Sequence, residues 1–152
     1  MIPRYHILLG AAFTFLLWLL TPEISYYYLS LIFLSSVFID LDHYIASVIK
    51  TKNSSLRHSL KYHDELIAKH KKDIKKGIRR KFDDFHLFHT IEFHILIGLL
   101  GVFWSGFFYI FIGMMFHSLL DTIDLARKKE IHTREFFFFN WARKKIKNKK
   151  EK

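Results

Sequence analysis

His117 and Asp121 lie four residues apart in an apolar stretch, just after Gly113-Met114-Met115-Phe116. At helical spacing the two share one face, which Asp124 continues. Asp40 and His43 form a second pair, three apart, and Asp42 between them points away from Asp40. Asp42 must therefore serve a neighbouring helix, or the helix must loosen there. His89 and Glu92 form a third pair at three residues, with His86 before them and His94 off their face. Imidazole and carboxylate groups in this pattern are ligands for a divalent cation. The chain has no cysteine, so thiolate ligation is excluded, and zinc, manganese or iron suits the donors better than copper(I). The candidate ligands are Asp40, Asp42, His43, His89, Glu92, His117 and Asp121. They exceed the needs of one ion, so one or two zinc-like ions are expected. Glu92 or Asp124 is the candidate general base.

Each grouping also has a plainer explanation. Asp40 and Asp42 suit a helix end or a headgroup contact. His117 and Asp121 could hydrogen-bond between helices. His6 and His86 read as interfacial or supporting residues rather than ligands. His58, His63 and His70 sit in a basic stretch and read as solvated.

The elements that must position these residues follow from the charge pattern. Over its 152 residues the chain carries net charge +10, although 51% of it is hydrophobic. Residues 1–49 carry net charge −2, 50–86 carry +7, 87–126 carry −3 with no Lys or Arg, and 127–152 carry +8. Apolar blocks poor in basic charge thus alternate with basic blocks, as membrane spans alternate with their loops. Four apolar segments stand out: Ile7–Leu20, Ile24–Ile39 continuing to Ile49, Phe85–Trp104, and Phe107–Leu120 continuing to about Ala126. Arg4 and the apolar run after it look like a signal peptide, but no small-x-small cleavage site follows, so the run is read as an uncleaved span. Thr21-Pro22-Glu23 and Ser105-Gly106 serve as the turns, and neither contains Lys or Arg. Both turns are therefore assigned to the outside, and both termini and the central loop to the cytoplasm of an inner or plasma membrane.

The expected fold is all-α: an integral membrane bundle of four transmembrane helices in two hairpins. Residues 1–126 would form the membrane-embedded unit, including a basic linker over 50–84. Residues 127–152 would form a basic tail anchored by Phe136-Phe137-Phe138-Phe139-Asn140-Trp141. In the linker, Leu60, His63, Ile67, His70, Ile74 and Ile78 recur every three or four residues among lysines. That spacing predicts a basic amphipathic helix suited to anionic headgroups, or else a solvated charged linker. No specific nucleic-acid partner is expected. In this topology Asp40, Asp42, His43, His89, Glu92, His117 and Asp121 all fall at the cytoplasmic ends of their segments. A carboxylate in lipid costs ~2.5–3.5 kcal/mol on the insertion scale, and a shared cation offsets several at once.

At these residues the sequence resembles a family of predicted membrane-bound metal-dependent hydrolases, the YdjM-like family. Ile39-Asp40-Leu41-Asp42-His43 is similar to its D-x-D-H signature, and His89-Thr90 to the histidine and Ser/Thr of its second motif. His117-Ser118-Leu119-Leu120-Asp121 is similar to its H-x-x-x-D. The resemblance covers residues 1–126. It implies distant similarity to zinc-dependent phospholipase C and fungal zinc nucleases, and hence hydrolysis of phosphoesters, with a lipid phosphate among the candidate substrates. In one place the chain departs from the family: His86 is followed by Leu87 where the family has arginine. An oxyanion contact would then come from Arg57, Arg79, Arg80 or the tail. The competing functions are a metal or proton carrier and a scaffold for a soluble partner. A carrier needs polar groups through the bilayer's depth, whereas Phe13–Leu20 and Ile95–Trp104 are nearly all apolar.

Overall fold

The computed structural model describes residues 3–78 and 85–150, and over these it is all-helical. Arg79 and Arg80 lie outside the described residues. The helices are α1 (Pro3–Leu20), α2 (Tyr26–Phe38), α3 (Leu41–Thr51), α4 (Leu56–Lys75), α5 (Ile91–Leu100), α6 (Ser105–Arg127) and α7 (Phe138–Lys150). Short 3-10 turns at Leu87–His89 and Ile131–Thr133 precede α5 and α7.

Local chemistry explains several boundaries. Ser25 caps α2 by accepting the Tyr28 N–H, satisfying one of the donors a helix start leaves open. The stretch Tyr26–Thr51 is broken only by a turn at Ile39–Asp40, so the helix does loosen beside Asp42. Lys52, at φ 54°, ends α3 in the left-handed region. The expected linker helix is present as α4, tied to α3 by a buried Ser47–Ser59 hydroxyl hydrogen bond of 2.7 Å. The apolar residues Leu60, Ile67 and Ile74 of α4 are exposed.

Tyr26–Thr51 and Ser105–Arg127 are long and apolar enough to cross a membrane. At 1.5 Å per residue, α6 spans about 35 Å. The third expected segment, Phe85–Trp104, departs from a single helix. Thr90 is extended (φ −82°, ψ 148°), α5 begins only after it, and the chain turns at Gly101–Phe103. With ten residues, α5 reaches only about 15 Å, half of a hydrocarbon core. The fourth helix starts at Ser105 itself, so the turn precedes Ser105-Gly106 instead of falling on it.

Helices α1 and α2 pack together, as do α5 and α6, and the two hairpins join through a broad contact of α2 with α6. Small residues permit that contact. A Cβ at Gly113 of α6 would overlap the Ile32 carbonyl and the Ser35 hydroxyl of α2. Burial is the reverse of a water-soluble bundle's. Among the described residues the buried hydrophobic side chains are Leu29, Ile32, Ile39 and Met114. The buried polar ones include His6, Ser36, Asp42, His86, His89, Thr90, His94, His117 and Asp121. Phe15, Leu19, Leu34, Leu96, Phe108 and Leu119 face outward, an apolar exterior that water would not favour. Gly113→Ala should lower stability by about 1–3 kcal/mol, the range for overpacking, measured by thermal unfolding in detergent. Gly10→Ala should cost less, because it meets only the movable Ser36 hydroxyl.

Candidate metal centre

Four side chains from three parts of the chain meet at one point. Asp40 comes from the turn before α3, His89 from the 3-10 turn before α5, and His117 and Asp121 from one face of α6. One ligand atom of each lies within 4.8 Å of the other three. His117 Nε2 is 3.4 Å from His89 Nε2, 3.3 Å from Asp40 Oδ1 and 3.6 Å from Asp121 Oδ2. His89 Nε2 is 3.6 Å from Asp40 Oδ1 and 3.8 Å from Asp121 Oδ2.

The far nitrogens of both rings are already committed. His89 Nδ1 lies 3.0 Å from Asp42 Oδ2, and His117 Nδ1 lies 2.7 Å from the Ser36 carbonyl. An ionised carboxylate and a carbonyl only accept, so each Nδ1 donates. In the neutral rings both Nε2 atoms therefore carry bare lone pairs, facing one another between two carboxylates. Hydrogen bonds do not settle this arrangement well, because 3.3–3.8 Å exceeds their usual 2.7–3.2 Å. A tetrahedral ion with ligands at 2.0–2.1 Å has ligand–ligand edges of about 3.4 Å. The donors fit such an ion, and the two fixed Nδ1–H groups are the supporting contacts that metal-bound histidines have.

A second group adjoins the first. Asp42, His43 and His86 each bring one ligand atom within 4.8 Å of the others. Asp42 Oδ2 takes the His89 Nδ1–H and the Phe88 backbone N–H. Its Oδ1 faces His86 Nδ1 at 3.6 Å, and both of these buried atoms lack a hydrogen-bond partner. A neutral His86 imidazole there could offer a lone pair to a cation. His86, expected as a supporting residue, stands among the ligand candidates here.

Of the sequence candidates, Asp40, His89, His117 and Asp121 meet in the first group, and Asp42 and His43 in the second. Glu92 and Asp124 belong to neither. The extended Thr90 interrupts the helical phase between His89 and Glu92, so the two do not share a face. Glu92 instead accepts the backbone N–H of Phe138 at 2.9 Å and of Phe139 at 3.3 Å, capping the start of α7. Asp124 pairs with Lys128 one turn on. His94 bonds the Thr90 carbonyl and the Ser118 hydroxyl, holding α5 against α6. His6 supports the first group: its Nε2 is 3.1 Å from Asp121 Oδ1, and its ring stacks on His117 at 3.9 Å. Arg134 was not among the individual candidates. Its Nη1 donates to Asp121 Oδ2 at 3.0 Å, while Arg57 is exposed on α4.

No family model, curated protein or solved structure matches the chain. Glu92→Gln should leave bound metal unchanged while speeding hydrogen exchange at the Phe138 and Phe139 amides. Loss of metal in that variant would return Glu92 to the ligand set.

Proposed function

We propose that this chain is a membrane-embedded, metal-dependent hydrolase of phosphoesters, of the kind the YdjM-like resemblance implies, with one or two zinc-like ions at its centre. The observation that carries the proposal is the pair of Nε2 atoms, 3.4 Å apart beside Asp40 and Asp121, on rings whose Nδ1 atoms are already engaged by Asp42 and the Ser36 carbonyl. Asp40, His89, His117 and Asp121 would hold one ion, and Asp42, His43 and His86 a second. When bound, such an ion would supply Lewis acidity, bringing the pKa of a coordinated water toward neutrality and polarising a phosphoryl oxygen. The chain's own residues do the positioning. Asp42 and Ser36 orient the two imidazoles, His6 steadies Asp121, and Asp40, at the turn, is the least enclosed member of its group.

The apolar exterior of α1, α2, α5 and α6 supports a bilayer as the surrounding medium. In that setting α2–α3 and α6 would span, while α1 and the short α5 would complete a four-helix arrangement, α5 only partway. Both termini and α4 would face the cytoplasm, and the exposed apolar stripe and lysines of α4 would rest on anionic headgroups. A carrier is disfavoured because an apolar groove, lined by Ala11, Phe15, Trp18, Leu29 and Phe33, occupies the end of α1 and α2 away from the histidines.

Purified protein should contain one to two equivalents of metal per chain by elemental analysis. It should hydrolyse bis(p-nitrophenyl) phosphate in a chelator-sensitive, metal-restored reaction. Asp42→Asn should weaken metal binding at the Asp40–His89–His117–Asp121 group by about 10–100-fold, the usual effect of removing a partner that orients a ligand, and should cost the second group a ligand. Metal affinity should fall as pH is lowered, since protons compete for the imidazole lone pairs. Wild-type protein without stoichiometric metal would refute the proposal.

A further inference from the structure

The C-terminal segment is bound beside the centre, to the start of α5 and the residues before it, at several points. The Ile91 N–H donates to the Phe136 carbonyl at 2.9 Å. Glu92 receives the Phe138 and Phe139 N–H groups. Phe85 stacks on Trp141 with ring centres 4.0 Å apart. Upstream, Thr133 is buried in its 3-10 turn and donates its hydroxyl to the Glu130 carbonyl. Arg134 lies between these anchors in extended backbone (φ −100°, ψ 135°). Its side chain is only 11% exposed and reaches Asp121 Oδ2, the oxygen that also faces His89 and His117.

A guanidinium has five N–H donors in a rigid plane. Among the described residues, one is used by Asp121 and the side chain makes no other hydrogen bond. Charge balance indicates what the remaining donors meet. Asp40, Asp42 and Asp121 bring three negative charges; one divalent ion together with Arg134 cancels them. A second ion leaves the centre cationic, and an anion is then required. Phosphate suits both the charge and the planar fork of Arg134.

We infer that Arg134 is the phosphate-binding residue of this centre, and that residues 131–141 form a strap, clasped by Glu92, that delivers it. The inference rests on the metal-dependent reading above and names how that site holds its anion. Arg134 would occupy the role left open by Leu87 following His86. Glu92 is a positioning residue, acting only through the strap.

The test uses the full-length, zinc-loaded protein in detergent. Zinc per chain is measured together with inorganic phosphate affinity by equilibrium dialysis. Arg134→Gln should keep its zinc and bind phosphate about 10–100-fold more weakly, as expected for loss of a charge-assisted contact. Arg134→Lys should fall between, keeping the charge without the fork. Glu92→Gln should also weaken phosphate binding, but should add nothing in the Arg134→Gln background, because both act through one contact. Unchanged phosphate affinity in zinc-replete Arg134→Gln would overturn the inference, as would loss of its zinc, which would make Arg134 a prop for Asp121. Absence of zinc from the wild type would instead refute the metal reading itself. Competition by dihexanoyl phosphatidic acid separates the sources. Displacement at concentrations below those of inorganic phosphate assigns a lipid ester, and the opposite order a soluble phosphate; both support Arg134 as the phosphate contact.

Discussion

The backbones of α2 and α6 nearly touch where Gly113 meets Ile32, and the centre depends on that approach. One turn further along each helix, His117 and Ser36 come face to face, and the His117 Nδ1–H reaches the Ser36 carbonyl at 2.7 Å. A side chain at 113 would hold the helices apart and leave that imidazole free to rotate. The contact of His117 with the Ser36 carbonyl therefore depends on a missing methyl group four residues away. The stacking of His6 on the same ring and the reach of His6 to Asp121 follow once His117 is fixed. A packing contact between two apolar helices thus sets the orientation of a polar group.

Apolar surroundings explain why the polar residues gather. Helices covered with Phe, Leu and Ile offer polar side chains few partners on their outer faces, and here those side chains turn inward toward one another. Serine and threonine satisfy themselves on nearby carbonyls, as Thr14, Ser36 and Thr122 do. Histidine and aspartate cannot do so with their remaining atoms, and Asp42 Oδ1 and His86 Nδ1 are left unpartnered. Buried polar atoms without partners are costly, and a cation is the economical remedy for several at once.

Much of this was legible in the sequence. The four-residue spacing of His117 and Asp121 holds because α6 is regular through both, and the gathering of Asp40, His89 and His117 followed from charge asymmetry alone. Spacing failed where the helix failed: Thr90 leaves the helical region and caps α5 with its own side chain, which turned Glu92 toward α7. The pairing of Asp42 with His89 could be anticipated only as a choice between a neighbouring segment and a loosened helix, and both occur. Arg134 was hidden for a different reason. Its place depends on how α7 docks against Ile91 and Phe85, contacts distant in sequence, and a basic tail gives no periodic signal of them.

Asp42 touches both donor groups, with Oδ2 on His89 and Oδ1 toward His86. Its carboxylate cannot polarise toward one side without withdrawing from the other. An ion held by either half would therefore be felt by its neighbour, and thermodynamic reciprocity would make that influence equal in both directions. Were both groups to hold ions, their seven donors would be coupled through that one shared carboxylate.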